Sequence, residues 1–181
     1  IDRNSFINNS NAEVLFGATT NSQSNIGITN NQMQGNGNAV LLFGTSGAAI
    51  TNNTITGSLG SQVVIGGNND HIDILMNTIV GGATRGIRIG DFGGGGTSST
   101  TTVHFNRIKD NPTRGIEIDS AAGSYTGALD ATNNFVGCNT GPGTAGCDTV
   151  LGAVTFAPYL VLNVGAAPSS ILTGGASTIT A

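Results

Sequence analysis

The sequence predicts an all-β solenoid of about six stacked coils, and three observations predict it. An Asn recurs at Asn4, Asn31, Asn53, Asn77, Asn106 and Asn134, at intervals of 27, 22, 24, 29 and 28 residues. Two positions after each anchor stands an apolar residue: Phe6, Met33, Ile55, Ile79, Ile108 and Val136. The composition agrees, because 29 Gly with only two Glu and one Lys leaves few of the residues that fill exposed helix faces. A period near 25 residues built from short alternating strands marks a coil that stacks on copies of itself.

Each coil is expected to carry three strands. Upstream of the anchor, at minus five and minus three, stand Ile26/Ile28, Ala48/Ile50, Ile72/Ile74, Thr101/Val103 and Leu129/Ala131. The plus-two residue forms a second, short strand. At plus ten and plus twelve come Val14/Phe16, Leu41/Phe43, Val63/Ile65, Ile87/Ile89 and Ile116/Ile118, a third strand whose apolar members point inward. Asn tolerates left-handed backbone, so the anchor is expected to turn the chain and to bond its amide to the Asn of the next coil. Six coils at about 4.8 Å each would span roughly 25–30 Å. Loops of unequal length follow the third strand, and the longest holds residues 91–100 with its tetraglycine 93–96.

The segments Ile28-Thr29-Asn30-Asn31-Gln32-Met33 and Ile50-Thr51-Asn52-Asn53-Thr54-Ile55, with Arg85-Gly86-Ile87-Arg88-Ile89 and its echo Arg114-Gly115-Ile116-Glu117-Ile118, carry a family resemblance. The chain resembles the right-handed parallel β-helix family of pectate-lyase-like and related secreted proteins, which implies a right-handed parallel β-helix over residues 1–150. The resemblance is specific for fold and weak for activity, since this scaffold hosts lyases, hydrolases, epimerases, adhesins and inert stalks.

Residues 151–181 are expected to form a capping strand and an extended tail. Val154 to Leu162 reads as a strand interrupted by Pro158, which suits an edge. The stretch from Ala167 to Thr180 is similar to the opening strands of a bacterial immunoglobulin-like domain, too short to fold as a sandwich. Its apolar Ile171 and Ile179 are candidate interface residues, and it would lie on its own helix or pair with a neighbouring molecule. Cys138 and Cys147 bracket a Gly/Pro-rich turn. A disulfide there would contribute roughly 2–3 kcal/mol and point to an extracellular or cell-surface location; two free thiols are the alternative.

The net charge of −4 disfavours nucleic acid as partner. No run of about 18 apolar residues is present to span a membrane. The chain opens inside its first repeat, so any export signal is expected upstream.

Nine of the sixteen charged residues fall between Arg85 and Asp119, which is where any catalytic cleft would have to lie, and Arg85, Arg88, Asp91, Arg114, Glu117 and Asp119 are the candidate ligand-binding residues. Register pairs Arg88 with Glu117 at the outward plus-eleven position, and sets Arg85 beside Arg114. No catalytic set emerges. Arg107-Ile108-Lys109 matches a short motif of polygalacturonase relatives, but no two acidic residues are adjacent, and His71 and His104 lie outside any Gly-His-Gly element. No metal site is expected, although Asp91 and Asp119 could share a calcium ion. No other cofactor is implied.

The plus-eleven column reads Leu15, Leu42, Val64, Arg88 and Glu117, so its first three members are candidate interface residues in an apolar strip that something should cover. These readings point to a non-catalytic structural module of a secreted or surface protein: a stalk, adhesin or fibre subunit. Its partners would be copies of itself or neighbouring domains. The alternative is a β-helix lyase, hydrolase or carbohydrate-binding module acting on acidic polysaccharide.

Overall fold

A computed structural model describes residues 1–17, 23–92, 96–119, 125–170 and 173–180. Among them there is no helix, and three six- or five-stranded parallel sheets wind around one core. The first sheet follows the Asn anchors: Ser5–Ile7, Gln32–Gln34, Thr54–Thr56, Thr78–Val80 and Arg107–Lys109. The second holds Val14–Phe16, Val40–Phe43, Val63–Gly66, Arg85–Gly90, Arg114–Ile118 and Val150–Leu151. The third holds Gln23–Thr29, Thr45–Thr51, Asp70–Leu75, Thr101–His104, Leu129–Asp130 and Val154–Thr155. Strand pairing therefore continues through Thr155.

The core is a set of straight columns. Phe6, Met33, Ile55, Ile79 and Ile108 pair rung over rung. So do Ile28, Ile50, Ile74 and Val103 on the third sheet. On the second sheet Val14, Val40, Val63, Ile87, Ile116 and Val150 form one column, and Phe16, Leu42, Ile65, Ile89 and Ile118 the next. Each large aliphatic side chain buried this way contributes roughly 1.5–3 kcal/mol.

That register corrects coil two. Leu42 is 0% exposed and belongs to the core, so it is not an interface residue; Leu41 takes the outward position beside Leu15 and Val64. Phe43 pairs with Gly66 rather than joining the Ile column. The cause is one missing residue. From anchor to inward strand is ten positions in coils one, three, four and five, but nine from Asn31 to Val40. A slip of one residue inverts every side chain of a strand, and burial of Val40 and Leu42 decides which face wins.

The Asn anchors form the expected ladder. The backbone N–H groups of Asn4, Asn31, Asn53, Asn77 and Asn106 donate to the Oδ1 of Asn31, Asn53, Asn77, Asn106 and Asn134 at 2.8–2.9 Å. Each side-chain amide donates to the same oxygen at 3.0–3.1 Å. The bend, however, lies one residue earlier than the anchor. Arg3, Asn30, Asn52, Met76, Phe105 and Asn133 have φ of 54–58°. The anchor itself must aim its N–H along the stack, so its predecessor takes the left-handed conformation, whatever its side chain.

A second corner falls four residues past each of the first five anchors. Asn8, Gly35, Gly57, Gly81 and Asp110 are left-handed there, and short polar or glycine residues follow: Asn9, Asn36, Ser58, Gly82 and Asn111. The N–H of Asn9 donates to Asn36 Oδ1 at 2.9 Å and that of Gly82 to Asn111 Oδ1 at 3.1 Å. This partial ladder ends on Asp148, whose Oδ2 accepts from Asn111 Nδ2 at 2.8 Å and from Asn111 N–H at 3.2 Å.

Burial raises the pKa of Asp148 above the usual carboxylate range, against the hydrogen bonds from Asn111, which lower it. The native state then holds this proton to higher pH than the unfolded chain does. Stability attributable to Asp148 therefore falls as pH rises through the window just above the ordinary carboxylate pKa, and stays at its lower level at neutral pH. Asp148→Asn keeps the acceptor and removes the charge. Thermal melts should give D148N an equal or higher midpoint at neutral pH and less dependence on pH in that window; a lower midpoint at neutral pH would contradict this account.

Strand pairing in the solenoid ends at Thr155, residues 158–162 lie against the last Asn rung, and the tail leaves the solenoid after Leu162. Gly165–Ala167 and Thr178–Thr180 pair antiparallel, and the residues of both strands are exposed. Ile179 lies on the second of them, 72% exposed, while Ile171 and residues 93–95 of the tetraglycine lie outside the described residues.

Candidate functional site

The charged rungs sit on the outer face of the second sheet. Alternation sends Ile87, Ile89, Ile116 and Ile118 inward, so Arg88 and Glu117 point outward as direct partners in register, as do Arg85 and Arg114. Arg85 Nε lies 2.8 Å from Glu117 Oε2, and Arg88 Nε lies 3.7 Å from Glu117 Oε1. Arg88 Nη2 reaches Asp119 Oδ2 at 2.9 Å. Glu117 thus offsets the charge of Arg85, while Arg114 donates to the Thr113 carbonyl at 2.6 Å. Glu117 is 6% exposed, so its ion pairs are shielded from solvent and screened less by salt than surface pairs. Asp91 is half-buried just beyond the same strand.

The apolar strip beside this cluster is partly roofed by the chain itself. Phe43 lies over Gly66, where an added Cβ would stand 2.2 Å from its ring, and Phe92 lies over Gly90 in the same way at 2.6 Å. Arg88 stacks on Phe92 with its guanidinium carbon 4.1 Å from the ring centroid. Val64 is consequently only 7% exposed, whereas Leu15, beyond the roof, is 59% exposed. Both rings line a groove of about 370 Å³ together with Leu41, Val64, Arg85 and Arg88 and the polar residues Asn38, Ser61 and Thr84. Sequence reading missed both Phe walls. Their signal was the glycine pair Gly66 and Gly90 in one column, which leaves room for rings.

The two histidines lie elsewhere, on the outer face of the third sheet. His71 Nδ1 is 2.7 Å from Asp70 Oδ2, and His104 Nε2 is 2.9 Å from Asp130 Oδ1. The His104 contact, aided by Thr132, holds the Asp130 carboxyl below the usual range. Thr102 donates to Asp73 between these pairs. Among the described residues no group of three His, Cys, Asp or Glu is placed to hold a metal ion. Cys138 and Cys147 form a disulfide with Cα atoms 5.2 Å apart.

Three parallel sheets wound on an asparagine ladder define a β-solenoid scaffold. A family model described as a right handed beta helix region matches residues 1–140, and the chain belongs to that family. Among curated proteins and among solved structures, no match reaches significance.

Proposed function

We propose that this chain is a non-catalytic structural module of a secreted or cell-surface protein, a stalk, adhesin or fibre subunit. One observation carries the reading: the carboxylates of its most charged rungs are closed by arginines. Glu117 is held between Arg85 and Arg88, and Asp119 by Arg88. A general acid or base has to reach its substrate with a free oxygen, and carboxylates engaged by arginines serve rigidity instead. The exposed pair of tail strands supports a role in assembly, because an isolated pair of strands is marginally stable and gains from a further strand. Donation of that pair to a second copy, and stacking of coils between copies, would both lengthen the assembly. The disulfide favours an oxidising compartment.

Purified chain should show elongated particles by negative-stain electron microscopy, and a version lacking residues 163–181 should lose them. It should leave acidic polysaccharides intact, with or without calcium. Release of shortened or unsaturated sugars, abolished by Glu117→Gln, would overturn the non-catalytic reading.

The groove favours a second reading, carbohydrate binding without cleavage. Two Phe rings offer flat apolar faces, and Arg85, Arg88 and the polar lining residues offer hydrogen-bond donors. Calcium shared by Asp91 and Asp119 belongs to this reading as well. Calorimetric titration with polysaccharides would detect it, and binding should weaken in Phe92→Ala.

A further inference from the structure

Coil six is built differently from the others. Its anchor and its inward strand are sixteen residues apart, from Asn134 to Val150, against nine or ten elsewhere. The added chain forms a loop closed by Cys138–Cys147. Four of its glycines, Gly137, Gly141, Gly143 and Gly146, have φ of 83–92°, so its backbone path has little stiffness of its own.

This loop touches two structures that end the solenoid. The Asn139 side chain grips the backbone of Leu162 from both sides, Nδ2 donating to its carbonyl at 2.6 Å and Oδ1 accepting from its N–H at 2.7 Å. Gly141 lies so close under Tyr159 that a Cβ there would stand 2.8 Å from the ring. Segment 158–162 is itself laid across the last Asn rung. The N–H of Asn133 donates to the Pro158 carbonyl at 2.6 Å, and the N–H of Leu160 to the Asn134 carbonyl at 3.0 Å. The loop also delivers Asp148 to Asn111 at the end of the second ladder. The sulfurs are half-buried beside the Thr140 and Thr144 hydroxyls and border solvent.

We propose that Cys138–Cys147 is a redox-operated clasp: intact, it holds segment 158–162 over the last rung, and reduced, it releases that segment and opens the C-terminal end of the solenoid. This holds whether or not copies assemble. A dithiol is the reductant. Its thiolate attacks one sulfur to give a mixed disulfide, and its second thiol displaces the cysteine. Two electrons pass to the protein, the dithiol becomes a disulfide, and Cys138 and Cys147 end as two thiols. Without the crosslink the glycine-rich loop regains its conformational freedom, and fixing Asn139 opposite Leu162 then costs backbone entropy that the bridge had already removed. The anchor Asn of each of coils one to five bonds the anchor of the next coil and not the loop, so these coils keep their ladder.

Hydrogen exchange read by mass spectrometry, on the whole chain before and after treatment with dithiothreitol, tests the clasp; alkylation mass reports the thiols. On reduction the amides of Leu160 and Leu162 should exchange at least ten-fold faster, while those of Ile87, Ile89 and Val103 keep their rates. Asn139→Ala with the bridge intact should accelerate Leu162 and leave Ile87 and Ile89 unchanged. Reoxidation should restore protection. Unchanged Leu160 and Leu162 rates in fully reduced protein would overturn the proposal. So would loss of protection throughout the chain, which would make the bridge a general stabiliser, and so would a bridge that resists dithiothreitol while the protein is folded.

Discussion

Asn77→Asp should lower the melting temperature by roughly 10–20 °C at neutral pH, on about 2–4 °C per kcal/mol for a chain of this size and a cost of several kcal/mol. Asn77 is 2% exposed and stands in the middle of the ladder. Its Oδ1 accepts from Asn53, backbone and side chain, at 2.9 and 3.0 Å. Its Nδ2 donates to the carbonyls of Ile50 at 2.8 Å and Leu75 at 3.0 Å, and to Asn106 Oδ1 at 3.0 Å. A carboxylate keeps the acceptor role and loses every donation. Three oxygens would then face an anion in a dry interior, where each unsatisfied acceptor costs about 1–3 kcal/mol before repulsion is counted.

Protonation would return one donor, so the Asp in this variant should have a raised pKa in the folded state. Stability should then fall as pH rises through the carboxylate range and recover in part under acid. Asn52→Asp is the control. Asn52 sits on the outside of the neighbouring coil and bends the chain at φ 56°, and its side chain bonds Asn30 in an exposed contact. Asp tolerates that backbone nearly as well, so N52D should melt close to the parent. Equal melting of N77D and N52D would show that the ladder carries little of the fold.

The ladder and most core columns were legible in the sequence because both repeat at fixed offsets from one residue type. Two features were hidden for a physical reason each. The missing residue in coil two, between Asn36 and Val40, is invisible to an offset count, because Leu41, Leu42 and Phe43 are all apolar and either phase reads as a strand. Only the neighbours Val14 and Val63 settle the phase, by pairing with Val40. The bend before each anchor was hidden because Arg3, Met76 and Phe105 occupy it in three coils, and none of them favours left-handed backbone. There the stacking of the anchors overrides local preference. Of the candidate site, the Arg88–Glu117 pair followed from register alone, while Arg88 to Asp119 and Phe92 depend on how the chain leaves the strand, which no repeat specifies.

Gly86→Ala should cost about 2–3 kcal/mol or more, the scale of forced overpacking in a rigid core. The repeated Arg-Gly-Ile of coils four and five acquires its reason here. Gly86 and Gly115 lie one above the other between the paired Arg85–Arg114 and Ile87–Ile116. A Cβ on Gly86 would stand 2.7 Å from the Gly115 carbonyl oxygen, 3.1 Å from Asn111 Nδ2 and 3.1 Å from Ile108 Cγ2. The nearest of these is backbone held in the sheet, so it cannot swing aside, and the other two belong to a ladder and a core column. Two adjacent rungs would have to separate, and the loss would spread to the interfaces on both sides, because each coil is stabilised by its neighbours. Gly27→Ala isolates the steric effect: a Cβ there meets nothing within 4 Å, and the position lies in the extended strand Gln23–Thr29. G27A should melt at or slightly above the parent, by up to about 1 kcal/mol through a stiffer unfolded chain. Denaturant melts of the two variants give the comparison, and a G86A chain as stable as G27A would mean that the rungs at Gly86 and Gly115 are not in contact.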